Sequence, residues 1–422
     1  MLRSFRQHFA ANGPFNLVRL VRALRYKLNS AGRRLISRME VAGIRLKNVV
    51  SVRRHGLVII DDYFPRLATA FRVAEFNSIF DHFKEAQLYS ACPDKNIFPI
   101  YSDCYPQYSK RVHKFHPARR LTGSAAYVVF LNNIFCYLEY LERYRLPFVF
   151  ELYPGGGFCI DETVSDARLR KVFSSSMFRK VIVTQSITRN YLLKKNFCRD
   201  EDIAFIFGVV VLSNVLNNQA AERTHFGVDK DLLDICFVAN KYMPRGVDKG
   251  YDRFIRCAEI LSARNSQVRF HVVGEFNESD IEIRGALQNR ITFYGPRVTS
   301  FFPRFYARMD LILSPNVPFV SAPGAFDGFP TGCCIEAALC GTAMFMCDEL
   351  NLNQGRFEEG RDAVIIPRDP ELIAGIVEKY MQSPSELKSL AENGQRAVRN
   401  LFSLEVQMAP RLRILSALLD AS

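Results

Sequence analysis

From Gly56 onward, short β-rich apolar runs alternate with helical patterns, twice over, and this alternation narrows the possible folds most. In the first stretch, Leu57–Ile60 ends in Asp61-Asp62 and is followed by a helical pattern through Phe80. Tyr127–Leu131 ends in Asn132-Asn133 and leads into a helix from Ile134 to about Tyr144. Pro147–Glu151 and Lys180–Thr184 read as strands, the latter followed by a helix over Ile187–Lys195. Ala204–Phe207 and Val209–Leu212 complete this half. After a polar stretch at Asn217–Lys230 the pattern resumes: strand Asp234–Ala239, helix Tyr251–Arg264 and strand Val268–Val273 closed by Gly274. Further strands are read at Ile291–Tyr294, Leu311–Ser314, Ala343–Cys347 and Ala363–Ile366. Strands alternating with helices give parallel, doubly wound sheets, so the expectation is two Rossmann-like α/β domains facing a cleft. Their ligands belong outside the C-terminal ends of the strands.

Length agrees, since 422 residues suit two domains of about 150–200 residues each. The divisions expected are 1–55, 56–225 and 226–422, with the last helix a candidate to pack back on the N-terminal domain. No run approaches the roughly 18–20 apolar residues of a membrane span. The eleven cysteines follow no metal-ligand spacing and sit mostly in apolar runs, which suits a reduced, cytoplasmic protein.

Charge is concentrated at one end. Residues 1–55 hold thirteen Lys/Arg and a single acid, Glu40, against a net +13 for the whole chain. Within them Leu17, Leu20, Val21, Leu24 and Leu28 recur at helical spacing, flanked by Arg19, Arg22, Arg25 and Lys27. Such a basic amphipathic helix suits an anionic membrane surface. A helix packed on the body and an Arg-rich transit peptide are the competing readings. Nucleic acid is not expected as a partner, because the arm carries no recognition motif and the rest of the chain is close to neutral.

Two glycine-rich elements carry the chemistry. The first strand ends in Asp61-Asp62-Tyr63-Phe64-Pro65 and lacks the Gly-x-Gly-x-x-Gly turn of a dinucleotide site, which argues against an NAD-dependent oxidoreductase. Gly155, Gly156 and Gly157 follow the Pro147–Glu151 strand. With Asp61 and Asn132, which also stand at strand ends, they are candidates for the acceptor side; plain turns and caps are the alternative. The second element, Asp327 to Thr342, is a Gly-rich loop running into a helix that stops at Gly341. Free amides at such a helix start attract phosphate. Glu336 would lie in the first turns, within reach of ribose hydroxyls.

This segment resembles the loop of retaining GT-B glycosyltransferases of family 4 (glycosyl transferases group 1), in which Glu-Gly-Phe-Gly is followed by a second Glu and Ala-x-x-x-Gly. The order of weaker likenesses extends over most of the chain from Gly56. Lys249-Gly250 after a strand resembles the family's diphosphate site, Val272-Val273-Gly274-Glu275 its Val-Gly-Glu turn, and Phe305–Asp310 with Ser314-Pro315 its Tyr-Ala-x-x-Asp and Pro-Ser elements. There are departures. Asp327 replaces the first glutamate and has eight residues, not seven, before Glu336. The loop Asn240–Lys249 is long, so Lys241 and Arg245 compete for the family's arginine. Glu151-Leu152-Tyr153 stands where many members place a histidine.

The resemblance implies a retaining transfer of a sugar from a nucleotide diphosphate to a hydroxyl, in surface polysaccharide or glycolipid synthesis. Asp327, Lys249 and Arg245 would be catalytic, and Glu336, Gly328, Phe329, Gly332 and Gly274 donor-binding. The partners implied are a nucleotide-sugar donor and a glycan or lipid-linked acceptor. No cofactor and no metal are expected: the departing diphosphate can be met by Lys249, Arg245 and the amides of Gly328–Gly332. The Asp229-Lys230-Asp231 triplet precedes its strand rather than ending it. A GT-B-like sugar-nucleotide 2-epimerase and a non-catalytic binder of sugar nucleotide remain open alternatives.

The arm supplies its own test. A chain starting at Val52 is expected to stay folded but to lose binding to anionic vesicles, since arginines near such a surface contribute about 1 kcal/mol each. Full-length protein that ignores these vesicles at low salt, or a shortened chain that unfolds, would refute the docking reading.

Overall fold

The computed structural model describes residues 56–117, 121–213, 216 and 223–422; the basic arm and part of the polar stretch near residue 220 lie outside them. The first sheet has seven strands: β1 (Leu57–Asp61), β2 (Gln87–Ser90), β3 (Val112–Lys114), β4 (Ala125–Val129), β5 (Phe148–Leu152), β6 (Phe178–Val183) and β7 (Ile203–Phe205). They run in the order β3-β2-β1-β4-β5-β6-β7, every neighbouring pair parallel. The second sheet has six: β8 (Leu233–Val238), β9 (Val268–Val273), β10 (Ile291–Phe293), β11 (Leu311–Ser314), β12 (Ala343–Met346) and β13 (Val364–Ile365). Their order is β10-β9-β8-β11-β12-β13, again all parallel. Strand order therefore reverses at β1/β4 in one sheet and at β8/β11 in the other. These are the points where a doubly wound sheet opens a crevice for ligand.

Helices α1 (Ala70–His82), α2 (Ile97–Cys104), α3 (Leu131–Arg143), α4 (Thr163–Phe173) and α5 (Ser186–Lys194) belong to the first sheet's crossovers. The second half contributes α6 (Tyr251–Arg264), α7 (Phe302–Tyr306), α8 (Gly332–Leu339), α9 (Pro370–Met381), α10 (Pro384–Phe402) and α11 (Leu404–Asp420). The local reasons are legible in α6, where Phe254, Ile255, Ala258 and Leu261 form the buried stripe and Arg256 is exposed. At α9, Asp369 caps the Glu371 amide at 2.7 Å and Pro370 occupies the first turn. Strands β1, β4 and β5 are buried along their whole length, as parallel strands covered on both faces must be. No helix among the described residues is long and apolar enough to cross a membrane.

Three expectations change. Val209–Leu212 is not a strand. Val210 instead joins the apolar cluster of Met408 and Leu415, and Val211 that of Phe329 and Phe402. Its composition reports burial, which a strand and a packed connector share. Conversely, β2, paired between β1 and β3, alternates half-exposed Gln87 and Tyr89 with buried Leu88 and Ser90, and β3 at the sheet's edge carries no buried residue, so neither gives much apolar signal. Helices α2 and α4 likewise lay outside the pattern read from sequence.

The last helix, α11, lies on the first sheet. Arg411, with no exposed surface, donates to both carboxylate oxygens of Glu151 on β5, at 2.6 and 3.0 Å. Its remaining nitrogen donates to the Gln407 carbonyl at 2.7 Å, and Gln407 donates to the Phe207 carbonyl at 3.0 Å. A second carboxyl, Glu75 of α1, reaches the same network through Tyr127 and Tyr153. Tyr127 lies against both glutamates, 2.5 Å from Glu151, but owns one hydroxyl proton. Burial, reinforced by the Glu151 charge, pushes the Glu75 carboxyl up to about 8. Glu75 thus keeps its proton and donates to Tyr127, which donates to Glu151.

Removing the cation would leave Glu151 buried and unpaired. Arg411→Met is expected to cost about 3–5 kcal/mol in urea unfolding. Because the folded protein holds a Glu75 proton that the unfolded chain releases, this group's contribution declines as pH rises from about 4.5 to about 8. Glu75→Gln should flatten that decline at little cost at pH 8. A loss under about 1 kcal/mol for Arg411→Met would mean that α11 is held by packing alone.

Candidate functional site

At the β8/β11 switch point, the loop after β8 and the loop after β11 bring two opposite charges together. Lys249 is the last residue of a short 3-10 turn, Pro244–Lys249, that hands over to α6 through Gly250. Gly250 has φ 68°, and a Cβ there would lie 1.9 Å from the Pro315 carbonyl oxygen. Only glycine lets the backbone at Lys249 pass this close to the end of β11. The ammonium of Lys249 then donates to both Asp327 oxygens, at 2.6 and 2.7 Å. Burial disfavours that ammonium, but the adjacent Asp327 carboxylate outweighs it and holds the group above the ordinary lysine value. Tyr242, largely exposed, covers the same ammonium at 5.0 Å from its ring centre. Asp248 is buried 4.0 Å from Lys249, and burial raises its carboxyl above the usual range.

Asp327 opens the loop that enters α8. Asn316 donates to its second oxygen at 2.6 Å, and Ser314 donates to the Asn316 carbonyl at 2.7 Å. Thr331 stands at the N-cap of α8 with its side chain directed to Ser314, Cys333 and Cys334 rather than to the backbone. Its carbonyl takes the amides of Cys334 and Ile335, while those of Gly332 and Cys333 have no partner among the described residues. Free donors at a helix start, reached from Asp327 through the same loop, are positively polarised by the helix. Glu336 sits on the second turn, half-buried and without a hydrogen bond or ion pair from its carboxyl among the described residues. Loss of water pushes that carboxyl up to about 7.

The other donor-side candidates distribute as follows. Gly274 ends β9 and its amide donates to the Gly295 carbonyl at 3.1 Å. Phe329 is buried, and its carbonyl accepts from Gln185 of the first half at 3.1 Å, with Gly328 beside that same side chain. Gly332 is the first residue of α8. Of the two residues competing for the arginine's place, Lys241 is bound to both oxygens of Asp280 at 2.9 Å. Arg245 is exposed, makes no hydrogen bond or ion pair among the described residues, and adopts φ 57°, a strained value for a non-glycine residue. The Asp229-Lys230-Asp231 triplet lies at the opposite end of β8, where Lys230 bridges Asp234 and Asp310 at 2.6 and 2.8 Å.

On the first sheet, Asp61 needs correction as an acceptor contact. It is fully buried, takes the amides of Tyr63 and Phe64 at 2.8 and 2.6 Å, and pairs with Arg72 at 3.0 Å. Its oxygens hold the turn after β1. Asn132 is exposed and accepts from Arg168 at 2.7 Å; its amide donates to the Gly156 carbonyl at 2.8 Å. A Cβ on Gly157 would fall 2.0 Å from the Asn132 side-chain oxygen, so the glycines lay this loop directly on the start of α3. Gly155 accepts from the Phe158 amide at 3.0 Å. The loop also reaches the second half: Ile160 donates to the Gly324 carbonyl at 2.9 Å, and the rings of Phe158 and Phe326 meet at 6.0 Å.

Several residues of the site escaped the sequence reading: Asn316, Tyr242, Asp248 and Gln185. Asn316 had a usable signal, standing just beyond a strand at the switch point. Its contact with Asp327 spans a loop that no spacing rule anticipates.

With this geometry in view, similarity to known proteins can be placed. Residues 253–412 match the model of the glycosyl transferase-like family. No curated protein sequence matches the chain. Anabaena Alr3699/HepE, solved with UDP-glucose, superposes with a TM-score of 0.65 at 17% identity, over 86% of this chain and 99% of that one. A glycosyltransferase from Rickettsia africae gives 0.64 at 14% identity, over 87% and 100%. The chain has the GT-B fold. Sucrose-phosphate synthase from Thermosynechococcus elongatus shares it, at TM-score 0.58 and 14% identity over 87% and 100%. In GT-B terms the two sheets are the two lobes, and the Lys249–Asp327 pair lies in the C-terminal lobe.

Proposed function

We propose that this GT-B protein transfers a sugar from a nucleoside-diphosphate donor to an acceptor hydroxyl with retention at the anomeric carbon. The observation that carries this reading is the convergence of the Lys249 ammonium, the Asp327 carboxylate and the unpaired amides of Gly332 and Cys333 at one switch point. An ammonium beside free helix-start amides suits a diphosphate, and a carboxylate beside them suits sugar hydroxyls. The glycosyl transferase-like match over 253–412 and the fold shared with the UDP-glucose complex of Anabaena HepE support the same assignment.

In this mechanism the acceptor oxygen attacks the anomeric carbon on the face from which the diphosphate leaves. The carbon–oxygen bond to phosphate breaks, the new glycosidic bond forms, and the acceptor proton passes to the departing phosphate oxygen. Negative charge grows on that diphosphate, where Lys249, the exposed Arg245 fork and the helix-start amides stabilise it. These groups supply the positive charge from the chain itself, so the reaction is assigned without a metal. Asp327 orients the sugar and Glu336 the ribose. Asn132 and Gly155–Gly157 border the acceptor side, and a glycan or lipid-linked acceptor, met at the cytoplasmic membrane face in surface polysaccharide or glycolipid synthesis, completes the proposal.

Lys249→Ala is expected to weaken UDP or GDP binding by about 1.5–3 kcal/mol, the usual loss for a charged hydrogen bond. Calorimetry on the folded variant checks this, and unchanged affinity for both nucleotides would take Lys249 out of the site.

Glu336 yields a pH signature. Ribose hydroxyls stabilise its ionised form, but in the free protein the carboxyl holds its proton up to about pH 7. Donor affinity should therefore fall about tenfold per pH unit below that point, with a proton released on binding. Glu336→Gln should bind more weakly at pH 8, lose this slope and discriminate poorly against 2′-deoxy donors. A variant that retains the slope and the discrimination would refute the ribose role.

A further inference from the structure

Asp327 has two partners in the free protein, and they behave differently toward an incoming diphosphate. Lys249 is an ammonium, for which phosphate oxygens compete directly. Asn316 offers an amide, and the direction of that amide is fixed. A carboxylate can only accept, so the Asn316 NH2 must face Asp327, which it does at 2.6 Å. The amide carbonyl then faces Ser314, whose hydroxyl donates to it at 2.7 Å. Ser314 is buried and lies 3.3 Å from the Thr331 hydroxyl at the start of α8. The carboxylate is thus tied, through Asn316 and Ser314, to strand β11 and to the N-cap residue of α8.

We propose that Asn316 is a positioning residue that holds Asp327 against the donor sugar once Lys249 has turned to the diphosphate. The inference rests on the transfer reading above and adds a division of labour to it. Lys249 guards the carboxylate while the site is empty, and Asn316 keeps it in place when the site is filled. Asp327, with a shorter side chain than glutamate, reaches the sugar from a fixed base, so its orientation matters to turnover more than to donor binding.

Four variants test this: Asn316→Ala, Asn316→Asp, Ser314→Ala and Ser314→Thr. Asn316→Ala should lower kcat about 10- to 100-fold, the range for losing a hydrogen bond to a charged group, with the donor KM within about threefold of wild type. Asn316→Asp puts a second carboxylate where the amide was. Turnover should be low at neutral pH and partly recover as pH falls and the pair takes up a proton. Ser314→Ala, which frees the amide to turn, should lose less, and Ser314→Thr should restore it. A purely structural role would lower stability without producing the acid recovery of Asn316→Asp. Wild-type kcat in Asn316→Ala, a donor KM rising in step with its fall in kcat, or a wild-type pH profile in Asn316→Asp would each overturn the proposal. A structure of the wild-type UDP complex provides the arm independent of turnover: Asp327 should remain on Asn316 and leave Lys249, and the reverse arrangement overturns the assignment. Wild-type protein that turns over no UDP-, GDP- or dTDP-sugar would instead sink the transfer reading, with the UDP complex still deciding the role of Asn316.

Discussion

A guanidinium without solvent contact needs a matched anion and hydrogen-bond acceptors, and Arg411 finds both on the opposite lobe from most of its neighbours in sequence. It leaves the second sheet's half of the chain on α11 and closes on Glu151 in the middle of the first sheet. Neither partner is tolerable without the other in an apolar interior. The neighbouring apolar surfaces follow: Met408, Leu415 and Leu418 pack into the cluster built on Leu57, Ile59 and Tyr127. A second cluster runs without interruption from Val181 and Val183 of the first sheet to Ile312 and Met344 of the second and Ile335 of α8. The lobes share this core, and the polar contacts of Gln185 to Phe329 and Ile160 to Gly324, with the Phe158–Phe326 ring pair, join them as well.

At the end of β11 the two central charges are paired with each other. Lys249 and Asp327 neutralise each other, and Asn316 engages the carboxylate from the other side. Under the proposed function a diphosphate would displace an internal anion from Lys249 instead of meeting an unpaired cation. Its affinity would be reduced by the strength of the pair it breaks, while the geometry of both side chains is prepared beforehand. Glu336 follows the opposite logic. Its carboxyl has no protein partner, and burial alone moves it to about 7, so an incoming hydroxyl would relieve it without displacing anything.

Much of this architecture was legible because parallel sheets write themselves plainly. Tyr251–Arg264, Val268–Val273 and Leu311–Ser314 were read with the boundaries that the structure shows, since buried strands and amphipathic helices are strong periodic signals. Strand β2 and the edge strand β3 escaped because a half-solvated strand need not be apolar. Val209–Leu212 misled for the converse reason, being buried without being paired. In the site, Lys249 and the Asp327 loop were visible through glycines that mark tight backbone passages. Asp61 looked like a cleft residue because strand-end position does not reveal which way a carboxylate turns. Asn316 was hidden because its meaning depends on a partner in another part of the same loop, and folding brings the two together.

The course of the last helix bears on the modularity of the molecule. A two-lobed enzyme invites the view that each lobe is a cassette, separable at the connector near residue 225 and exchangeable among relatives. Here the N-terminal lobe's interior includes a cation that arrives only with α11. A graft that exchanged the lobes at the connector would part Glu151 from Arg411, so inheritance of one lobe requires inheritance of α11. The functional unit that can be transplanted is discontinuous in sequence: the first sheet together with α11.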